Sequence, residues 1–246
     1  MTSNPPPQPA ATDALDDRLG RLGLPAGTLQ ERQAGLPGPL REFHRRVLGG
    51  FLAHAGPPPG PAVASMAAGL GLDPREALRA LAAADLVHTD PTSGTIVVAY
   101  PFSGRPTSHR VELAGGPVVA AMCALDALGI PQMTGSDARI SSTDPSGGQP
   151  VTVALQGEVW QWRRAAMVVL VATAAGGVCA AVADGCCPHI NLHPGPQQAR
   201  AYLQAHQGMT GEVLGQAEAV EVAGRIFGGL LDPQRRQAMN GTDTRR

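Results

Sequence analysis

Two places in the chain carry thiols and an acid that could act together on a soft metal. Cys123 and Asp126 lie three residues apart in Ala-Met-Cys-Ala-Leu-Asp, and Cys186 and Cys187 are adjacent. Thiolates bind soft metal ions, and a carboxyl three residues from a thiol shares its face of a helix. Together these groups could bind a soft metal through sulfur and deliver a proton beside it.

The first of these places is expected to be a buried helix over Pro117–Leu128, because it is apolar on most sides. Burial would push Asp126 toward its protonated form, so that it could act as an acid near neutral pH. The alternative is structural: Cys123 as a small core residue and Asp126 as a buried, hydrogen-bonded polar group.

The second place is Cys186-Cys187-Pro188-His189-Ile190-Asn191-Leu192-His193, preceded by a turn signal at Asp184-Gly185. One structural alternative is a disulfide between the adjacent cysteines. Another is a zinc site, which the spacing disfavours because zinc cysteines usually have two to four residues between them. That site would use Cys179, Cys186, Cys187, His189 and His193.

Composition excludes several classes of function. The net charge of -1, with 16% charged residues, offers no basic surface for nucleic acid or an anionic membrane. No apolar run reaches the roughly 18 residues that a membrane-spanning helix needs, and the N-terminus lacks the features of a signal peptide. Four cysteines, three of them crowded together, do not resemble a secreted disulfide framework. We therefore expect a cytoplasmic globular protein.

The elements that must position these residues fall into two units between two tails. Residues 1–12 and 232–246 are expected to be flexible, because they contain little to bury. In residues 13–99 the pattern predicts helices over Pro39–Ala53 and Val63–Leu70, a third helix capped by Asp73, and a strand over Thr95–Tyr100. This order is typical of a winged-helix-like unit, and its thin basic content favours packing over DNA binding.

Residues 100–231 are expected to form the second unit, a mixed or antiparallel sheet with flanking helices. The predicted strands are Arg110–Leu113, Ala138–Ser142, Val151–Leu155 and Met167–Ala172, and the later helices are Pro196–Gln207 and Gly215–Leu231. Grouped strands with helices at the ends favour an α+β fold over a doubly wound parallel sheet. Two prolines between Tyr100 and His109 indicate a shaped loop.

Several motifs in this second unit occur in the order found in one known family. Pro-Phe-Ser-x-x-Pro-Thr-x-His-x-Val is followed by Ala-x-Cys-Ala-Leu-Asp-Ala-Leu-x-x-Pro, by Ser-Ser, and by the Cys-Cys pair. This order resembles the organomercurial (alkylmercury) lyases from about Tyr100 to Leu231. The N-terminal helices are compatible with that family's winged-helix-like start.

The resemblance implies a mercury-detoxifying enzyme that cleaves carbon–mercury bonds by protonolysis and releases a hydrocarbon. Matched by motif, Cys123 and Cys186 are the catalytic thiols that hold mercury, and Asp126 is the catalytic acid. Cys187 could assist transfer of the metal. No cofactor is implied, while cellular thiols, or a mercuric reductase, would remove the Hg(II). The chain departs from many relatives at Asp144, where they carry a structural cysteine, and at Met122, where they often carry an aromatic residue.

Two other classes of function remain open at this stage. The same cysteines could serve a non-enzymatic heavy-metal binder or sensor, which would need a basic face for DNA. A lyase-like protein could also have been recruited to other thiol or metal chemistry. The presence of Cys123, Asp126 and Cys186 together argues against simple loss of activity.

Overall fold

The computed structural model describes Leu15, Asp17, Gly20 and residues 28–174 and 185–232. The predicted tails at 1–12 and beyond 232, and Cys179, lie outside these residues. Within the described part of the chain, no helix combines the length and the apolar character needed to cross a bilayer.

Four helices lie between residues 28 and 83. They are α1 (Thr28–Ala34), α2 (Gly38–His54), α3 (Gly60–Ala68) and α4 (Pro74–Ala83). The predicted cap of α4 is confirmed, because the Asp73 carboxylate accepts a hydrogen bond from the Glu76 amide at 2.9 Å and Pro74 occupies the first turn.

The main sheet has eight antiparallel strands in the order β1-β2-β3-β5-β4-β6-β7-β8. The strands are β1 (Val87–Thr89), β2 (Ile96–Ala99), β3 (Phe102–Ser103), β4 (Arg110–Leu113), β5 (Val118–Ala121), β6 (Ala138–Thr143), β7 (Pro150–Gln156) and β8 (Val159–Trp162). Val98 on β2 pairs with Ser103 on β3. The sheet therefore continues across residue 100, the predicted boundary between the two units.

A second antiparallel sheet has the order β10-β9-β11. Its strands are β9 (Val168–Ala174), β10 (Ile190–His193) and β11 (Met209–Leu214), and the remaining helices are α5 (Ala124–Thr134), α6 (Pro196–Ala205) and α7 (Gln216–Phe227). Helix α5 packs between the sheets, in contact with α7, β5 and β10. The predicted α+β class with antiparallel sheets is confirmed.

The predicted helix over Pro117–Leu128 is wrong in its first half. Val118–Ala121 form β5, which lies between β3 and β4, and α5 begins only at Ala124 and runs on to Thr134. Short apolar runs fit a buried strand and a buried helix equally well, since neither produces a clear alternation. The correction moves Cys123 from the middle of a helix to its start.

The helices of the first unit share one core with the main sheet. The rings of Phe51 on α2 and Phe102 on β3 stack with their centroids 5.3 Å apart, and both side chains are fully buried. Aromatic pairs of this kind add roughly 1 kcal/mol to the stability that their burial supplies.

The contact between α5 and α7 depends on a glycine. A Cβ added at Gly129 would lie 2.6 Å from Cγ of Phe227, and Cδ2 of that ring would be closer still. We expect Gly129→Ala to lower the free energy of unfolding by about 2–4 kcal/mol, at or above the usual cost of overpacking. The measurement is denaturant unfolding.

Gly49→Ala on α2 is the matched control, because its added methyl would meet no atom within 4 Å. This change should leave stability unaltered or raise it by up to about 1 kcal/mol, as alanine is the better helix former. Equal effects of the two substitutions would contradict the packing described at Gly129.

Candidate active site

Cys123 is held between the end of a strand and the start of a helix. The Ala121 carbonyl, two residues earlier, accepts a hydrogen bond from the Thr107 hydroxyl at 2.7 Å, and the Met122 amide donates to the Pro101 carbonyl at 3.2 Å. Both partners belong to the proline-containing loop that the sequence predicted. The loop therefore fixes the backbone that leads into Cys123.

Cys123 is the N-cap of α5, and Asp126 is the third residue of its first turn. In this arrangement the two side chains meet, as they do in a capping box. The Cys123 thiol donates to Oδ2 of Asp126 at 2.6 Å, and both side chains are only 2% exposed. The predicted pairing of thiol and acid is thus present, although the helix holds it at its N-terminus rather than along one face.

Cys187 completes the cluster from the other side. It begins a short 3-10 helix, Cys187–His189, and is buried. Its Sγ lies 4.0 Å from Oδ2 of Asp126, and the ligand atoms of Cys123, Asp126 and Cys187 all lie within 4.8 Å of one another. Among the described residues this is the one group of three that could hold a metal ion. Cys123 and Cys187 are both free thiols.

Cys186 lies elsewhere, contrary to the expectation that it would be the second thiol at Cys123. Its sulfur is disulfide-bonded and lies 3.9 Å from Oγ1 of Thr173 on β9. Cys186 is the N-cap of the 3-10 helix that begins at Cys187, and it is not part of the group formed by Cys123, Asp126 and Cys187. Because Cys187 is a free thiol, the alternative of a disulfide between Cys186 and Cys187 is wrong.

The zinc alternative is not supported by the described residues. His189 makes a hydrogen bond with the Tyr202 hydroxyl at 2.8 Å, and Nδ1 of His193 lies 2.8 Å from the Asp144 carboxylate. Neither imidazole belongs to a group of three potential ligands with Cys186 or Cys187.

Burial controls the ionisation of the cluster. It raises the pKa of Asp126 to about 7, and the Cys123 thiol opposes this only in part by donating a hydrogen bond. Burial also raises the pKa of Cys123 well above its usual value, helped by Cys187 and Asp126. For Cys187, the hydrogen bond with Cys123 lowers the pKa, but burial and the charges of Asp126 and Asp85 outweigh it. At neutral pH the site therefore has two protonated thiols and an acid that can both give and accept a proton.

Asp85, from the first unit, influences the site although no pattern in the sequence pointed to it. It sits at a left-handed backbone position with φ of 51° and binds Arg32 and His88 through its carboxylate, each at 2.7 Å. Its charge reaches Cys187 and raises the pKa of that thiol. A turn residue with a positive φ is not visible in a helix pattern, so only the tertiary structure reveals it.

The two departures at Asp144 and Met122 have distinct surroundings. Asp144 is 1% exposed and contacts the fully buried His193, which ties the end of β6 to β10. Burial lowers the pKa of His193, and Asp144 opposes this shift. Met122 is half-buried and packs against the core. Asp144 and His193 thus connect two elements that flank the Cys187 turn.

Comparisons with known proteins identify the family and the fold. Residues 102–228, slightly more than half of the chain, match the family model described as "Alkylmercury lyase". A solved structure described as the mercury-bound form of MerB2 superposes with a TM-score of 0.67 at 18% sequence identity, and the match covers 87% of this chain and all of that one. At this identity the likeness is one of fold. A comparison with curated proteins gave no significant match.

Proposed function

Because the chain belongs to the alkylmercury lyase family, we propose that Cys123, Asp126 and Cys187 are the groups with which it cleaves carbon–mercury bonds. The protein is an organomercurial lyase by family, and protonolysis of the bond gives a hydrocarbon and Hg(II). The assignment of roles rests on one observation: two free thiols and a carboxyl are buried with their ligand atoms within 4.8 Å of one another.

The reaction begins at Cys123, whose thiol already donates to Asp126 at 2.6 Å. As sulfur binds mercury in R–Hg–X and the group X leaves as an anion, the thiol proton passes to Asp126. Cys187 then binds the same mercury, and its proton leaves with X. Two sulfur ligands satisfy a soft centre, so the mercury–carbon bond weakens and negative charge grows on carbon.

Asp126 completes the reaction by protonating carbon. The electron pair of the mercury–carbon bond goes to the carbon, which takes the proton from Asp126 and departs as R–H. Hg(II) remains bound by two thiolates, and the Asp126 carboxylate is regenerated. The raised pKa of Asp126, about 7, suits a group that must accept and then give up one proton near neutral pH. Its Oδ1 is buried with no hydrogen-bond partner among the described residues, which leaves that oxygen available to the substrate.

This proposal differs from the sequence-based assignment at one residue. Cys187 takes the role expected of Cys186, and the roles of Cys123 and Asp126 are unchanged. The three side chains supply every proton and sulfur that the reaction needs, so we also propose that the enzyme uses no cofactor. External thiols, or a mercuric reductase, would then take Hg(II) from Cys123 and Cys187.

The remaining proposals concern the rest of the chain. We propose that residues 13–99 are a winged-helix-like unit used for packing rather than DNA binding, and that 100–231 is the catalytic unit. Phe51 of the first unit stacks on Phe102 of the main sheet, and the charge of Asp85 raises the pKa of Cys187. Both interactions support a packing role for the first unit. We also propose a cytoplasmic location.

The test is to incubate the purified protein with an organomercurial and excess thiol, and to follow hydrocarbon by gas chromatography. We expect release from the unchanged protein and none from Cys123→Ser, because a serine hydroxyl is a poor ligand for a soft metal. Tight mercury binding without release from the unchanged protein would contradict the proposal and favour the metal-binder alternative.

A further inference from the structure

Strand β8 (Val159–Trp162) lies at one end of the main sheet. Among the described residues it pairs with β7 on one side and with no strand on the other. Val159 is 60% exposed, more than any other large hydrophobic side chain in this part of the chain. The open edge of a strand is a template for pairing with another chain, and the mechanism proposed above does not involve β8.

Strand β8 lacks the features that usually protect an open edge. Natural edge strands carry charged side chains, prolines or bulges that prevent pairing with other chains. The sequence of β8 is Val-Trp-Gln-Trp, and its register with β7 is continuous. Charged residues lie immediately outside it, with Glu158 before the strand and Arg163 and Arg164 after it, and all three are exposed. The strand is therefore uncharged, with an acidic residue at its start and basic residues at its end.

The hydrogen bonds to β7 show which backbone groups of β8 face the open edge. The Arg163 amide donates to the Thr152 carbonyl at 3.2 Å. Alternate residues of an antiparallel strand bond to the same neighbour, so the N–H and C=O groups of Trp160 and Trp162 point away from β7. Both tryptophan side chains are half-buried and pack against the core. A second strand could bond to these backbone groups and cover the rest of both rings.

We propose that β8 is a dimerisation strand, which pairs antiparallel with β8 of a second copy of the chain about a twofold axis at Gln161. Residues opposite each other in such a pair share a face of the sheet, and here both must direct their backbone groups to the other copy. Trp160 of each copy then lies opposite Trp162 of the other, and each such pair exchanges two backbone hydrogen bonds. The same register places Glu158 of each copy opposite Arg164 of the other.

The distribution of charge favours a second copy over an unrelated strand. An acidic start and a basic end match the same sequence when it runs in the opposite direction. A register centred on Trp160 would place Glu158 opposite Trp162, and one centred on Trp162 would place Arg164 opposite Trp160. Only the register centred on Gln161 forms cross-strand pairs both of opposite charges and of aromatic rings, which are the pairs that stabilise sheets.

The dimer joins two eight-stranded sheets into one through a short strand. An interface of this size is typical of reversible association, so we expect a dissociation constant of about 1–100 μM. None of these residues belongs to the proposed active site. Dimerisation is therefore independent of the roles proposed for the thiols, and failure to release hydrocarbon would not bear on it.

The test is sedimentation velocity over a series of concentrations that spans the micromolar range, with charge-reversal variants. Glu158→Arg and Arg164→Glu each place like charges opposite one another at both ends of the interface. We expect either variant alone to associate about 10-fold more weakly, because two attractive pairs become repulsive. An equimolar mixture of the two should regain the affinity of the unchanged protein, since one copy then carries only basic and the other only acidic residues at these positions.

Arg75→Glu is the matched control, because it reverses an exposed charge on α4, which packs beside β1 at the opposite end of the main sheet. It should leave association unchanged. Tryptophan fluorescence supplies a second readout, since Trp160 and Trp162 are the only tryptophans in the chain. Their emission should shift to shorter wavelength as the concentration of the unchanged protein or of the mixture rises, and the shift should need higher concentrations in either variant alone.

Three results would overturn the proposal. They are an unchanged protein that stays monomeric at every concentration, a dimer that Glu158→Arg and Arg164→Glu weaken no more than Arg75→Glu does, or a mixture that associates no better than its components. A monomer with constant, short-wavelength emission would mean that another part of the same chain covers β8. Circular dichroism establishes that each variant is folded. If one reversal prevents folding, the other is compared with Arg75→Glu, and equal association of those two would equally overturn the proposal.

Discussion

Replacing Cys187 with serine will abolish hydrocarbon release, whereas replacing Cys186 with serine will leave it within a few-fold of the unchanged protein. The two residues are adjacent, yet only the Cys187 sulfur lies in the cluster with Cys123 and Asp126. Loss of Cys187 leaves mercury with one thiolate, so the carbon bond is not weakened. We expect a loss of more than about 100-fold, beyond the range seen when a residue only orients a metal ligand.

The measurement is single-turnover hydrocarbon release in excess thiol, with Hg(II) stoichiometry determined in parallel. Thiol in the assay can open the disulfide at Cys186; in the structure that sulfur lies beside Thr173 and outside the group at Asp126. Cys186→Ser is the matched control, because it makes the same atomic change one residue away. Loss of activity in Cys186→Ser with full activity in Cys187→Ser would reverse the assignment and restore the role first expected from the motif order.

The difference between the motif match, which assigns the second thiol to Cys186, and the geometry, which brings Cys187 to Asp126, shows what a sequence can and cannot specify. The presence of a thiol pair opposite Cys123 could be predicted, since the residue types and their order along the chain carry that information. Which of two neighbours faces the site depends on the direction in which a 3-10 turn enters β10. That direction is set by contacts between segments distant in sequence, which the residue types alone do not specify.

The helices and strands likewise include some that the sequence predicts and others that it does not. The start of α4 was predictable because Asp73, Pro74 and Glu76 form a local capping signal whose hydrogen bond is made within three residues. Strand β5 was not, because Val118–Ala121 become a strand only through pairing with β3 and β4. Strand β10 was also not predicted, because Ile190–His193 were considered only as part of the segment that follows the Cys-Cys pair. Capping signals are local and can be recognised in the sequence, whereas strand pairing between distant segments cannot be recognised from a short apolar run alone.

The second large effect is expected at Asp126, where Asp126→Asn should lose cleavage while keeping Hg(II). The amide cannot carry a proton from a thiol to carbon, so we expect a loss of about 100- to 10,000-fold in single-turnover release, the usual contribution of a general acid or base. Cys123 and Cys187 remain to hold the metal. Unchanged release would contradict the role of Asp126, and parallel loss of Hg(II) binding would mean that the residue acts as a ligand.

The same substitution should stabilise the protein at high pH. The pKa of Asp126 is raised from 3.8 to about 7 by burial, so the folded state binds this proton more tightly than the unfolded state. Below pH 3.8 the carboxyl is protonated in both states and costs the native state nothing. As the pH rises from 3.8 to about 7, the free energy of unfolding falls. Above about pH 7 the buried carboxylate destabilises the native state by about 4 kcal/mol. Asparagine does not ionise and avoids this cost.

Denaturant unfolding at pH 4 and pH 8 measures the effect. The gain in the free energy of unfolding for Asp126→Asn should be small at pH 4 and several kcal/mol at pH 8. A gain independent of pH would mean that Asp126 is not the group whose ionisation burial opposes. The buried Asp126 carboxyl thus lowers stability and can exchange its proton at neutral pH. This combination is expected where a protein gives up stability for catalysis.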